Sequence, residues 1–105
     1  ISLGLKAGLD MESVVQAVSG GAAGSWGLDN RSGNMINNDY PLGFRVRLHR
    51  KDLNIALEAA RELGVTLPMA AYVEQIESGL IGRGFGDEDV SAIARSLREQ
   101  SGIDR

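Results

Sequence analysis

The residues best placed to do chemistry gather at the head of one helical stretch, HRKDLNIALEAARELG, residues 49–64. At about 100° per residue, Leu48, Ile55, Ala56, Ala59 and Leu63 share one side, widened by Leu53, Leu57 and Ala60. Arg50, Asn54, Glu58 and Arg61 take the opposite side. His49 and Asp52 fall inside the apolar arc, and Lys51 stands at its margin beside Ile55. Charged groups seldom occupy such places unless they are paired or used. Two accounts follow: a local ion pair to a neighbouring helix, or a helix head that faces a ligand or second domain. In the second, Lys51 delivers a mobile positive charge and donor, and Asp52 holds that end through backbone donors or an Arg.

Other motifs carry weaker chemistry. Residues 20–24, GGAAG, lack the preceding strand and the spacing of a phosphate-binding loop, so close helix packing explains them. Ser25 reads as a helix cap rather than a nucleophile, because the single His is remote and no triad order is visible. His49 has no visible partners for a metal site and reads as a satisfied, partly buried histidine. The GDED run, residues 86–89, lacks the ligand alternation of a calcium loop and reads as a solvated acidic turn followed by a cap. No metal is expected. FRVRLHRK, residues 44–51, holds five bases, but neighbouring acids and a net charge of −3 argue against nucleic-acid binding.

These candidates are carried by helices. Gly8 can end a first helix in the left-handed region, and Asp10 can cap a second, with the stripe Met11, Val14, Val15 and Val18. Ser25 opens a third, residues 37–43 are turn material, and FRVRL is read as the approach to the helix that bears Lys51. Gly64 ends that helix, and Pro68 starts another with the stripe Met69, Tyr72, Val73, Ile76 and Leu80. Asp89 can cap a last helix showing Val90, Ile93, Ala94 and Leu97. Five or six amphipathic helices make an all-α domain over residues 1–105. The 43% apolar and 24% charged content suit an ordinary globular domain. With no Cys a reducing, cytoplasmic setting is expected, and no apolar run reaches membrane-spanning length.

The motifs GLD (8–10), SGGAAGSWGLDNR (19–31), GFRVRLHRKDLNIALEAARELGVTLP (43–68) and GDEDVSAIARSL (86–97), in that order, resemble the C-terminal helical domain of the β-hydroxyacid dehydrogenases. That family includes 3-hydroxyisobutyrate dehydrogenase and 2-hydroxy-3-oxopropionate reductase. The resemblance implies a multi-helix fold similar to the C-terminal-like domain of 6-phosphogluconate dehydrogenase. It also implies an N-terminal Rossmann domain and a catalytic Lys upstream of Ile1; Lys6, just before GLD, does not match that catalytic position.

On the same ground Lys51, in KDL, is expected to contact NAD or NADP, with Phe44 as a second cofactor-binding residue and Asp52 and Ser25 as cleft support. The SW and NR elements are expected to be architectural. The intact enzyme is expected to move a hydride between NAD(P) and a small 3-hydroxyacid or its semialdehyde. The domain alone is expected to be inactive, to hold no tightly bound cofactor, and to form a homodimer or higher homo-oligomer through surfaces such as Ile1, Leu3 and Leu5. The alternatives are an imine reductase-like or non-catalytic derivative, or a free-standing helical interaction domain.

Overall fold

The computed structural model describes residues 1–103, so the last two residues of the expected 1–105 domain lie outside the described residues. The chain runs α1 (Ser2–Lys6), α2 (Met11–Ser19), α3 (Trp26–Asn37), α4 (Val46–Leu63), α5 (Pro68–Gly82), a 3-10 turn (Val90–Ala92) and α6 (Ile93–Gln100). Among the described residues there is no strand, only an isolated antiparallel bridge between Arg45 and Asp89. The all-α expectation holds.

Local chemistry sets most boundaries as read from the sequence. The Ser25 hydroxyl accepts from the Leu28 amide at 3.0 Å and starts α3. Gly64 ends α4 at φ 73°, the left-handed conformation that a residue without Cβ adopts freely. Pro68 occupies the first turn of α5, where its missing N–H costs nothing. Asp10 precedes α2, but its carboxylate accepts from the Ser13 hydroxyl at 2.7 Å instead of a backbone amide. Lys6 closes the two ends of the chain by donating to the carbonyls of Ser101 and Gly102.

The core is small: Tyr40, Val46, Leu80, Ala92 and Ala94, with Met35, Ile76, Ile81 and Phe85 packed around it. Arg98, buried beneath α3, donates to the carbonyls of Met35 and Ile36 and so satisfies acceptors in its last turn.

Three readings change in three dimensions. The apolar arc of α4 divides: Ala60 is buried, whereas Ile55 and Leu63 are 61% and 78% exposed, and Val46, outside that arc, is fully buried. Leu53 and Leu57 are half-buried, and Arg50, assigned to the outer side by periodicity, faces α5 and meets Glu74. The inward line is therefore Val46, His49/Arg50, Leu53, Leu57 and Ala60, a three-to-four-residue rhythm made partly of polar groups satisfied across the α4–α5 interface. The α5 stripe likewise buries Leu80 but leaves Met69 and Tyr72 exposed. Finally, the acidic turn is not wholly solvated: Asp87 is exposed, Glu88 is half-buried against Arg95, and Asp89 is buried.

Candidate functional site

Lys51 and Asp52 stand in the second turn of α4, both exposed. Neither side chain forms a hydrogen bond or ion pair with any described residue, so the local-pair account finds no partner within the described chain. Upstream, Arg45 and Arg47 reach the exposed carboxylate of Asp87 at 3.4 and 3.6 Å. Solvated pairs of that kind hold side chains loosely.

Phe44, by contrast, is fixed through its backbone. Its amide donates to Asp89 Oδ1 at 2.8 Å, and its carbonyl accepts from the Val90 amide at 2.7 Å. The next residues are held in the same way, with the Val46 amide on the Glu88 carbonyl and the Arg47 amide on the Gly86 carbonyl. The segment 86–90 therefore grips the approach to α4. The Phe44 ring stays half-buried, edge-on to His49 with centroids 6.2 Å apart.

Asp89 is the anchor of this grip. Arg31 of α3 donates from Nε to Oδ2 at 3.0 Å and from Nη2 to Oδ1 at 3.3 Å. Ser91 adds its amide and hydroxyl. Burial alone would raise the carboxyl, but Arg31, Ser91 and the Phe44 amide overcome it and hold Asp89 well below the usual carboxylate range. Gly43 is required beside it, since a Cβ there would lie 2.8 Å from Asp89 Oδ1.

A second buried carboxylate lies behind the helix head. Glu77 of α5, fully buried, pairs one oxygen with His49 Nδ1 at 2.6 Å, while its other oxygen has no hydrogen-bond partner among the described residues. Burial pushes Glu77 up, and the His49 hydrogen bond and charge offset this only in part. His49 is thus the satisfied, partly buried histidine expected. Its neighbour Arg50 donates to Glu74, which also accepts from Gln75 and Ser78; the Arg50 bond first, then the others, lowers that carboxyl.

Ser25 is exposed and its hydroxyl serves as the α3 cap. Next to it Trp26 is 66% exposed, with the Arg31 guanidinium 4.8 Å from its ring centroid. Asp89 therefore links the α3 that follows Ser25 to Phe44, whereas Lys51 and Asp52 join no hydrogen-bonded network. An apolar cavity of about 360 Å³ lies elsewhere, among Ile1, Leu3, Met35, Ile93 and Leu97.

Sequence reading found Asp89 only as a cap. Its partner Arg31 lies 58 positions away, a separation that no local pattern reports. Glu74 and Glu77 gave no signal beyond their three-residue spacing, which puts both on one side of α5.

Residues 1–97 match the family described as NAD-binding of NADP-dependent 3-hydroxyisobutyrate dehydrogenase. The chain is similar to 2-hydroxy-3-oxopropionate reductase of Escherichia coli, 37% identical over 88% of this chain and 32% of that protein. It is also similar to 2-(hydroxymethyl)glutarate dehydrogenase of Eubacterium barkeri, 34% identical over 96% of this chain and 34% of that protein. Among solved structures, 3-hydroxyisobutyrate dehydrogenase from Salmonella typhimurium superposes with a TM-score of 0.82 at 27% identity, covering 90% of this chain and 33% of that one. The chain thus spans about a third of the length of these relatives.

Proposed function

Because this chain belongs to the β-hydroxyacid dehydrogenase family, through its NAD-binding domain of the 3-hydroxyisobutyrate dehydrogenase type, we propose that it is the C-terminal, cleft-closing part of an NAD(P)-dependent oxidoreductase. The fold is then that of the 6-phosphogluconate dehydrogenase C-terminal-like domains. The substrate is a small 3-hydroxyacid or its semialdehyde, in keeping with the relatives' names.

The single observation that carries this reading is Lys51: a cation on a helix head, exposed, and without a partner among the described residues. Its donors are free for a ligand, and the half-buried ring of Phe44 supplies a fixed apolar wall on the approach to the same helix. Those residue types fit a dinucleotide, which offers anionic and amide acceptors and flat rings to pack against. When bound, NAD(P) supplies the hydride chemistry, and the protein supplies binding, orientation and field. Lys51 then donates to the cofactor, Phe44 walls the cleft, Asp52 supports the helix side of it, and Ser25 keeps α3 in place through its cap. The general acid/base is a Lys outside this chain, so the domain alone is inactive.

The exposed apolar faces suit subunit contact. Ile55 and Leu63 on α4, Met69 and Tyr72 on α5, and Leu3 on α1 are all more than half exposed. Surfaces of this kind tend to be recruited into interfaces, and a two-fold homodimer is the commonest solution. No helix among the described residues is long and apolar enough to cross a membrane, and a cytoplasmic setting with neither nucleic-acid nor membrane partner completes the reading.

The test is Lys51→Ala in the full-length enzyme. Dinucleotide affinity or turnover should fall while the circular dichroism spectrum stays helical. Unchanged kinetics across a full cofactor titration would reject the assignment.

A further inference from the structure

We infer that Asp89 is a positioning residue for the cofactor wall: its carboxylate sets where Phe44 and the Trp26–Arg31 face of α3 stand. The inference rests on the proposed role of Phe44 at the dinucleotide.

The carboxylate is 1% exposed and collects donors from three separate segments. These are the Arg31 guanidinium from α3, the Phe44 amide from the approach to α4, and the Ser91 amide and hydroxyl from the 3-10 turn. An ionised carboxylate offers about four acceptor sites, and here they are spent on joining three pieces of chain. Asn34 of α3 adds a second strut by donating to the Ser91 hydroxyl at 3.0 Å.

The Phe44 amide is bonded directly, not through an intermediary, so this oxygen fixes the amide side of Phe44 while the Val90 amide holds its carbonyl. The bare Gly43 lets the chain approach that closely. On the other side Arg31 is held between Asp89 and the exposed ring of Trp26. An Arg fork pinned by a carboxylate presents its flat face in one orientation, and the Trp26 ring rests on it.

Removing the charge has a specific consequence. Asn has the same shape as Asp, but its amide group is a donor and must face the Phe44 amide and Arg31 Nη2 on one edge or Ser91 and Arg31 Nε on the other. Donor then meets donor either way: Arg31 loses one arm of its fork, together with the acceptor of the Phe44 amide in the first orientation or of the Ser91 amide in the second. The displacement falls on the wall and not on the reacting atoms. Dinucleotide binding should therefore suffer before turnover does.

The experiment compares wild type, Asp89→Asn and Lys51→Ala in the full-length enzyme, below the melting range of each. Asp89→Asn should raise the dinucleotide KM about ten-fold, the effect of one lost charge-assisted bond, with kcat nearly unchanged. In this chain the variant should also move the Phe44 amide resonance and the emission of Trp26, its only tryptophan. A fall in kcat with KM unchanged means a smaller folded fraction only, and overturns the inference. So does a Phe44 amide that keeps its wild-type resonance. If Lys51→Ala leaves dinucleotide affinity intact, the cofactor reading fails instead, and the two spectroscopic readouts still decide whether Asp89 positions the wall. Should Asp89→Asn not fold, Arg31→Lys keeps the charge, removes the fork, and is read by the same split.

Discussion

Asp89 and Glu77 are both buried carboxylates, 1% and 0% exposed, yet they are held in opposite ways. Asp89 receives Arg31, the Phe44 amide and both donors of Ser91. Glu77 receives His49 on one oxygen and, among the described residues, nothing on the other. Burial pushes both carboxyls up; the donors reverse it at Asp89 and fall short at Glu77. The number and charge of the donors, rather than depth, decide in which direction each buried carboxyl is shifted. The firmly ionised acid lies where the approach to α4 must be fixed, and the poorly satisfied one lies behind the helix head.

The comparison breaks most visibly at Asp89. Asp89→Ala leaves a partly buried guanidinium and two amides without their acceptor, and should cost about 3 kcal/mol in urea unfolding, the low end of the range for stripping one partner from a buried ion pair. A change below 1 kcal/mol would mean the three segments hold together without it. Gly43→Ala attacks the same site sterically: its Cβ would press on Asp89 Oδ1, at a cost of about 1–3 kcal/mol, visible as a lower thermal midpoint.

Glu77→Gln should be gentler, within about 1 kcal/mol, because it alters one hydrogen bond of a buried acid whose other oxygen is already without a partner among the described residues. Its signature lies in pH. The folded-state value of Glu77 is raised above its unfolded value of 4.5, so its contribution is fully present below 4.5 and is lost as pH rises through the folded value. Wild type should therefore lose stability relative to Glu77→Gln as pH climbs above 4.5. Asp89 has the opposite sign: its folded value lies below the unfolded 3.8, so its contribution is present above 3.8 and fades as pH falls below it. Acid titration of Asp89→Asn should lack that fading. Equal slopes in the two variants would erase the contrast.

The smallest effect on folding is expected where neither carboxylate reaches. Leu63→Lys, on the 78% exposed outer face of α4, should change stability by no more than about 0.5 kcal/mol while weakening self-association in sedimentation equilibrium. An unaltered mass distribution would remove that face from the subunit contact.

The parts of this molecule legible in the sequence are those decided within a few residues. Ser25, Gly64 and Pro68 set helix ends through their own backbone chemistry, and all three stand where they were read. The odd charge of Lys51 was legible for the same reason, since one helix turn suffices to see it. What could not be read was the choice between two faces of α4. Periodicity marks the Leu48, Ile55 and Leu63 side as apolar, but the described residues supply no cover for much of it. The side that packs on α5 instead uses His49–Glu77 and Arg50–Glu74, whose partners lie 28 and 24 positions away. The Asp89 anchor was hidden likewise: a cap is local, whereas an Arg across 58 positions is set by the fold.

The central claim is that the head of α4 meets a dinucleotide through Lys51, beside a Phe44 wall held by Asp89. A crystal structure of the full-length enzyme with bound NADPH tests it most directly. The account predicts Lys51 Nζ within about 3.2 Å of a dinucleotide acceptor, with the Phe44 amide still on Asp89. A bound dinucleotide with Lys51 turned away into solvent would contradict it.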